Sequence, residues 1–392
     1  MPSDEASSQQ TFMRRALELA ARGRGSVEPN PMVGCVIVQG GRVIGDGYHQ
    51  QFGGPHAERE ALDACRESPR GATVYVTLEP CCHTNKKTPP CVPALIEAGV
   101  AKVVVGCLDP NPQVAGKGIE SLRTAGIDVK IGMLEPEAKQ LNAAYFARVI
   151  CGRPYVTLKW AQSADSKVAG PRGQRKQISN DLSMKVTHEL RARSDAILVG
   201  IGTVLADDPL LTARTSQPKR LLIRAVMDSS LRIPLDSKLV TSAGDGKVIV
   251  YRASPPKAEI SSGDPLKRGS LLLIERGVEV VEVPTGRMGK PTPTIVLADL
   301  AKRGVTHLVV DAGPTLGQSF IDQGIADRIW LIKSPIVIGA DDAPSAPLAP
   351  YPEVASLDLR GDRLIEMLNP FSDVFFARAP SADMNWAKEM VS

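Results

Sequence analysis

The sequence has few aromatic residues and no strong excess of charge. Aromatic residues make up 4% of its 392 residues, and the formal net charge is only +4. Proteins that bind single-stranded nucleic acid use stacked aromatic side chains and strongly basic grooves. No apolar run approaches the roughly 20 residues of a membrane span, and the polar residues 1–10 lack a signal-peptide core. We therefore expect no nucleic-acid partner, no membrane partner and a cytoplasmic location.

Cysteine is absent after residue 151. The seven cysteines are Cys35, Cys65, Cys81, Cys82, Cys91, Cys107 and Cys151. An odd number of unevenly spread cysteines is not the pattern of a secreted disulfide scaffold. It indicates instead a thiol-bearing metal site in a reducing compartment.

The length predicts two or three domains. Residues 1–10 are expected to form a disordered lead, and the alternating helix and strand patterns of residues 11–150 predict an α/β/α sandwich. A Gly-Arg-Pro boundary follows. Residues 154–392 alternate strands and helices again, which predicts a second α/β domain with a mostly parallel sheet. Strands are predicted there at 271–274 and 278–283, and no element is assigned beyond residue 332.

The stretch from His56 to Cys91 has the composition of a catalytic zinc site. One imidazole and the thiolates of Cys81 and Cys91 supply three ligands, which leave a fourth position for water. Glu58 is not needed as a ligand and can take the proton of the acidified water. Pro55 suits a helix start and would place His56 and Glu58 in the first turn. Cys81, which follows a strand and a proline, is also expected at a helix start.

The identity of the second thiolate has two candidates. Zinc deaminases carry H-x-E followed by P-C-x-x-C, but here Cys82 adjoins Cys81 and Cys91 lies ten residues on. We favour Cys91, because adjacent cysteines rarely both turn onto one tetrahedral site. There are two alternatives. One is a structural zinc site completed by His83 or Cys82, which would leave Glu58 without a role. The other is a set of merely buried cysteines.

Several short motifs together resemble the bacterial bifunctional riboflavin-biosynthesis deaminase/reductase family, and the likeness covers nearly the whole chain. The motifs of the first domain are Pro29-Asn30-Pro31-Met32-Val33-Gly34, Gly47-Tyr48-His49, Pro55-His56-Ala57-Glu58, Glu79-Pro80-Cys81 and Thr88-Pro89-Pro90-Cys91. The resemblance implies a cytidine-deaminase-like fold that deaminates a diaminopyrimidinone carrying ribosylamine 5′-phosphate. It implies that His56, Cys81 and Cys91 bind zinc and that Glu58 shuttles the proton.

The resemblance also implies residues that hold the base, ribose and phosphate of this substrate. They are Asn30, His49, His83 and a lysine of the loop between the cysteines. That loop usually has one basic residue and is one residue shorter. Here it contains both Lys86 and Lys87, so either lysine can meet the phosphate, or the pair can be simply solvated.

The second domain gives a weaker signal of its own. Residues 309–317 read as a strand, a glycine turn and a helix start, which can present free N–H groups to a phosphate but also occurs as an ordinary turn. Tyr155-Val156-Thr157-Leu158-Lys159 and residues 203–214 resemble the reductase half of the family. This implies a dihydrofolate-reductase-like fold that uses NADPH to reduce the ribosyl group to ribityl.

The family pattern implies the following contacts in that domain. NADPH would meet Ala161, Gln177, Thr203, Asp207, Ser229, Gly313, Pro314, Thr315 and Leu316. The substrate would meet Arg175, Arg191, Leu211, Arg214 and Asp311.

Three positions depart from the family pattern. Ser166 replaces a glycine, Gln177 replaces an aromatic residue and Asp311 replaces a glutamate. These departures leave an active deaminase with an idle reductase half as an alternative. A nucleic-acid base deaminase with a C-terminal binding module and a zinc-stabilised scaffold without chemistry are the other readings. A homodimer is expected only because most oligomeric enzymes are symmetric.

Overall fold

The computed structural model describes residues 4–82, 89–214, 221–254, 266–286, 289–376 and 382–391. The chain divides into two compact units, Met1–Cys151 and Gly152–Ser392. No helix among the described residues is long and apolar enough to cross a membrane.

The first unit contains a five-stranded sheet of order β2-β1-β3-β4-β5, in which β3, β4 and β5 run parallel and β1 is antiparallel to both its neighbours. The strands are β1 Gly34–Gln39, β2 Arg42–Tyr48, β3 Thr73–Leu78, β4 Lys102–Cys107 and β5 Asp128–Ile131. The helices are α1 Asp4–Ala21, α2 Ala57–Asp63, α3 Cys91–Glu97, α4 Lys117–Thr124, α5 Glu135–Leu141 and α6 Ala143–Phe146.

Helices cover both faces of the central part of this sheet. Successive strand residues point to opposite faces, so alternate residues pack against different helices. Cys35 and Ile37 of β1 pack with residues of α2, α3 and α4, whereas Val36 and Val38 pack with Met13 and other residues of α1. This layering confirms the expected α/β/α sandwich. It also explains why the central strands β1, β3 and β4 are buried almost throughout rather than at alternate residues.

Two close approaches between helix and sheet shape this unit. A Cβ atom added to Gly47 would lie 2.6 Å from the backbone nitrogen of Ala61, so α2 packs directly on the backbone of β2. A Cβ atom on Gly34 would likewise collide with the carbonyl of Ala16 in α1. Because α1 begins at Asp4, the expected disordered lead is wrong for residues 4–10.

The second unit contains a nine-stranded sheet of order β10-β9-β8-β7-β11-β6-β12-β14-β13, in which β14 alone runs antiparallel to its neighbours β12 and β13. Its strands are β6 Tyr155–Gln162, β7 Ala196–Gly200, β8 Ile223–Met227, β9 Val248–Ala253, β10 Glu279–Val283, β11 His307–Asp311, β12 Arg328–Lys333, β13 Glu353–Leu359 and β14 Asp362–Leu368. Its helices are α7 Asp181–Ala192, α8 Ile201–Asp207, α9 Lys238–Thr241, α10 Lys267–Glu275, α11 Pro293–Lys302, α12 Pro314–Asp322 and α13 Ala382–Glu389.

The mostly parallel α/β domain expected from the sequence is confirmed, but one predicted strand is wrong. Residues 271–274 belong to helix α10, where Leu273 is buried while Leu271 and Ile274 are about half exposed. A short apolar run fits a strand and a helix equally well by periodicity. The strands and the helix beyond residue 333 carried no clear pattern of their own.

A tight turn after β6 is held by a carboxylate. Asp165 accepts hydrogen bonds from the Ser163 hydroxyl (2.6 Å) and from the backbone N–H groups of Ile338 (3.0 Å) and Gly339 (2.9 Å). The next residue, Ser166, has a φ of 60°. This left-handed conformation suits the glycine that the family pattern carries there and strains a residue with a Cβ atom.

We therefore expect Ser166→Gly to raise the free energy of unfolding of the second unit by about 0.5–1 kcal/mol. All three tryptophans, Trp160, Trp330 and Trp386, lie in that unit, so urea unfolding followed by tryptophan fluorescence reports on it selectively. Ser166→Ala, which keeps the Cβ atom, is the control and should give no gain. Equal effects of the two substitutions would contradict the strain argument.

Candidate active sites

Three ligand-type side chains converge in the first unit. The ligand atoms of His56, Cys81 and Cys91 all lie within 4.8 Å of one another. The His56 Nδ1 atom is 3.4 Å from the Cys81 Sγ and 3.3 Å from the Cys91 Sγ. Ideal tetrahedral zinc with ordinary bond lengths would place nitrogen and sulfur ligands about 3.6 Å apart. The donor set and its spacing therefore fit a zinc ion.

The backbone brings these ligands together from three separate elements. His56 immediately precedes α2, and Cys91 is the first residue of α3. Cys81 follows β3 but starts no helix, so that expectation was wrong. Its carbonyl instead accepts the N–H groups of Cys91 (3.0 Å) and Val92 (3.2 Å). Cys81 thus caps the helix that carries the other thiol.

Glu58 lies in the first turn of α2 with 3% of its surface exposed. Burial, followed by the neighbouring Cys81 sulfur, raises the pKa of its carboxyl group above the ordinary value. Hydrogen bonding to Cys81 and burial also raise the pKa of the Cys91 thiol, but a thiol that coordinates a metal is deprotonated outright. The site thus combines a metal-binding set with a buried carboxyl group suited to hold a proton.

Asn30 and His49 lie beside the metal-binding set. The His49 ring centroid is 5.4 Å from that of His56. The His49 Nδ1 atom is 2.8 Å from the Pro55 carbonyl, and the Nε2 atom is 3.2 Å from the Asn30 Nδ2. Burial lowers the pKa of His49, although the Pro55 contact opposes it. A neutral ring that donates through Nδ1 and accepts from Asn30 satisfies both contacts.

The remaining predicted substrate residues of this unit, His83, Lys86 and Lys87, lie outside the described residues. One supporting residue was missed by the sequence reasoning. The buried Asn142 accepts the N–H of Met32 (2.8 Å) and donates to its carbonyl (2.9 Å). It thereby fixes the segment that carries Asn30, and no local sequence pattern indicates a partner 110 positions away.

In the second unit, the predicted cofactor residues gather at the carboxyl ends of parallel strands. A Cβ atom on Gly313 would lie 3.9 Å from the Thr203 Oγ1, and one on Gly200 would lie 3.9 Å from Leu316. The first turn of α8 therefore adjoins the start of α12, which includes Pro314 and Thr315. The chain passes from β7 to β8 in one direction along the sheet and from β11 to β12 in the other. Sheets of α/β proteins bind ligands at such positions.

Other predicted cofactor residues differ in how well they fit this edge. Ala161 lies near the end of β6, and Ser229 follows β8. Asp207 ends α8, and burial raises the pKa of its carboxyl group. Gln177 instead lies in an exposed loop, where its side chain donates to the carbonyl of Ser179 (3.3 Å).

Asp311 pairs with two cations at the end of β11. Its carboxylate receives Arg191 Nη2 at 2.6 Å and Lys159 Nζ at 3.3 Å. Burial opposes ionisation of Asp311, but the charges and hydrogen bonds of Lys159 and Arg191 outweigh burial and hold its pKa below the ordinary value. Lys159 was not among the predicted site residues. Its position in the Tyr155–Lys159 motif was the available signal.

The other predicted substrate residues of this unit lie near α7 and α8. The Arg214 N–H donates to His188 Nδ1 (3.2 Å) of the helix that carries Arg191. Leu211 is buried with a φ of 54°. Arg175 is largely exposed and lies 3.8 Å from Asp207, so this ion pair adds little stability.

Comparison with known proteins identifies the class of both units. Residues 6–107 match the family model described as cytidine and deoxycytidylate deaminase zinc-binding region, and residues 154–360 match that of the RibD C-terminal domain. The riboflavin biosynthesis protein RibD of Aquifex aeolicus is 40% identical over 84% of this chain and 87% of its own length. The protein of that name from Escherichia coli is 40% identical over 84% of this chain and 88% of its own length.

Solved structures give the same result across the chain. A diaminohydroxyphosphoribosylaminopyrimidine deaminase/5-amino-6-(5-phosphoribosylamino)uracil reductase from Thermotoga maritima matches with a TM-score of 0.78 and 34% identity, covering 93% of this chain and 99% of that chain. RibD of Acinetobacter baumannii matches with a TM-score of 0.77 and 33% identity over the same shares.

Fold and sites together define a zinc-dependent deaminase joined to an NADPH-dependent reductase. The chain belongs to the RibD family of bifunctional enzymes of riboflavin biosynthesis. The readings as a nucleic-acid base deaminase or as a scaffold without chemistry are therefore wrong.

The choice between Cys91 and Cys82 as a zinc ligand can be tested directly. Cys91→Ser should lose most of the bound zinc, because it removes one of three protein ligands. Cys82→Ser, a matched change at the neighbouring candidate, should keep it. Metal analysis of the purified variants measures both. Loss of zinc from the Cys82 variant alone would reverse the assignment.

Proposed function

We propose that the first unit deaminates 2,5-diamino-6-ribosylamino-4(3H)-pyrimidinone 5′-phosphate at the site of His56, Cys81, Cys91 and Glu58. The observation that carries this proposal is the buried Glu58 beside three metal-type ligands, since a structural zinc site would have no use for it. The deaminase and reductase activities named for the Thermotoga maritima protein support the choice of substrate.

His56, Cys81 and Cys91 would hold a zinc ion, which would supply an acidified water for the reaction. Glu58 accepts a proton from the attacking water and delivers it to the departing amino group, which leaves as ammonia. Burial favours this role, because a raised pKa makes the carboxyl group a better proton acceptor. We assign the contacts to the base to Asn30 and the neutral His49, which lie beside the metal-binding set.

The sugar phosphate of the substrate needs cations. We assign this contact to His83, Lys86 and Lys87, the polar residues between the two cysteine ligands. Charge-assisted hydrogen bonds to phosphate are among the strongest that side chains make. Either lysine satisfies this requirement.

We further propose that the second unit reduces the ribosyl group of the deaminated product to ribityl. Bound NADPH supplies the hydride. Its proposed contacts are Ala161, Gln177, Thr203, Asp207, Ser229 and Gly313 to Leu316. The proposed substrate contacts are Arg175, Arg191, Leu211, Arg214 and Asp311, with Lys159 added from the geometry. Lys159 is placed to donate the proton that accompanies the hydride, and Arg191 offers a bidentate grip.

The domain limits, oligomeric state and location are also proposals. We assign residues 11–150 to the deaminase domain and 154–392 to the reductase domain, close to the division between the compact units. Symmetric dimers are the commonest assemblies, so we propose a homodimer. We propose the cytoplasm because the odd number and uneven spread of the seven cysteines do not match a secreted disulfide scaffold.

Replacing Glu58 by Gln should separate metal binding from chemistry. Ammonia release should fall by about 10²- to 10⁴-fold, the range for loss of a general acid–base group, while zinc content stays near that of the unchanged protein. Glu60→Gln on the same helix is the control and should remain active. NADPH oxidation with the deaminated substrate should continue in both variants. A Glu58→Gln protein that releases ammonia at the normal rate would exclude the proposed role.

Asp311 should be required for reduction and dispensable for deamination. Asp311→Asn removes the negative charge that orients Lys159 and Arg191, and we expect kcat/KM for NADPH oxidation to fall by about 10- to 100-fold. Asp311→Glu, which restores the residue usual in the family, should retain activity. Steady-state NADPH oxidation measures both, and ammonia release serves as the internal control. Full reductase activity in Asp311→Asn would argue against this site.

A further inference from the structure

A buried carboxylate outside the described chemistry lies just before the metal ligand Cys81. Glu79 has 4% of its surface exposed. Its two oxygens face backbone N–H groups from a single segment after β4. These donors are Gly116 (2.9 Å), Gly118 (3.0 Å), Asp109 (3.3 Å) and Ile119 (3.4 Å).

These contacts explain how the charge is accommodated. A buried carboxylate is costly unless hydrogen bonds replace its hydration. Gly116 precedes α4 and Gly118 and Ile119 lie in its first turn, where backbone N–H groups lack partners within the helix. The carboxylate of Glu79 and the start of α4 therefore satisfy each other.

The same contacts constrain the segment that leads to the zinc site. The Glu79 N–H donates to the Cys107 carbonyl (3.0 Å), which continues the pairing of β3 with β4. The carbonyl of Pro80 lies so close to Gly118 that a Cβ atom there would collide with it. Cys81 follows at once, and its carbonyl caps α3. The backbone that carries the Cys81 thiol is thus held on one side by α4 and on the other by α3.

We propose that Glu79 is a positioning residue for the metal centre: it ties the Cys81 segment to the start of α4 and so holds the Cys81 thiolate in ligand geometry. This inference depends on the zinc site proposed above. Glu79 itself touches neither substrate nor metal ligand atoms in this role. It acts by limiting the movement of one ligand, which slows metal release.

The test is the rate at which metal-loaded protein transfers Zn²⁺ to an excess of a chelating dye. Glu79→Gln replaces one acceptor oxygen by an NH₂ group that faces N–H donors. We expect release to accelerate by about 10- to 100-fold, the range for changes in residues that support metal ligands. The absorption bands of the Co²⁺-substituted variant should also shift, which a loss of stability alone would not cause.

Glu120→Gln is the matched control, because Glu120 is an exposed glutamate in the first turn of the same helix. It removes the same charge without touching the Cys81 segment and should leave metal release unchanged. Equal acceleration in both variants, or normal release and normal Co²⁺ bands in Glu79→Gln, would overturn the inference. A wild-type protein that holds no metal would instead refute the proposed zinc site, and this inference with it.

If Glu79→Gln does not fold, Glu79→Asp provides the test. The shorter side chain keeps the charge but reaches fewer of the four N–H groups. We expect a smaller acceleration of metal release than from the amide. Release as slow as in the wild-type protein would overturn the inference.

Discussion

Both units depend on one geometric constraint: parallel strands deliver their following residues to the same edge of a sheet. Cys81 follows β3, and the Glu79 donors follow the adjacent β4. In the second unit, Ser229 follows β8 and Gly313 follows β11. Residues far apart in the sequence therefore lie close together at this edge of the sheet. The chemistry differs because the side chains at that edge differ.

Three carboxyl groups show how environment assigns their roles. Glu58 is buried with little compensating charge, so its pKa rises and it is suited to carry a proton. Asp311 is partly buried between Lys159 and Arg191, so its pKa falls and it stays ionised as an anchor for two cations. Glu79 faces backbone N–H groups instead. Burial alone would raise the pKa of both Glu58 and Asp311, so their partners decide the outcome.

The sequence allowed the metal-binding set to be identified but not its supports. The types and order of His56, Glu58 and Cys91 predict chemistry, because few other functions need them together. The prediction that Cys81 starts a helix was wrong. A strand followed by a proline does not indicate that the Cys81 carbonyl caps α3, which begins ten residues later. Lys159 and Asp311 lie 152 positions apart, and such pairings depend on strand order rather than on local pattern. The alternation of β and α predicted the fold class correctly. The local pattern of residues 271–274 did not predict their structure.

Two of the departures from the family pattern, Ser166 and Asp311, affect the stability of a turn and the length of a side chain. Asp311 and Lys159 are register partners on adjacent strands, so a carboxylate shortened by one methylene still reaches both Lys159 and Arg191. Ser166 adopts a left-handed conformation at a cost of about 1–2 kcal/mol, yet the Asp165 contacts keep its turn in place. The pairing of Asp311 with Lys159 and Arg191 is intact. Neither Ser166 nor Asp311 therefore gives a structural reason for an idle reductase half.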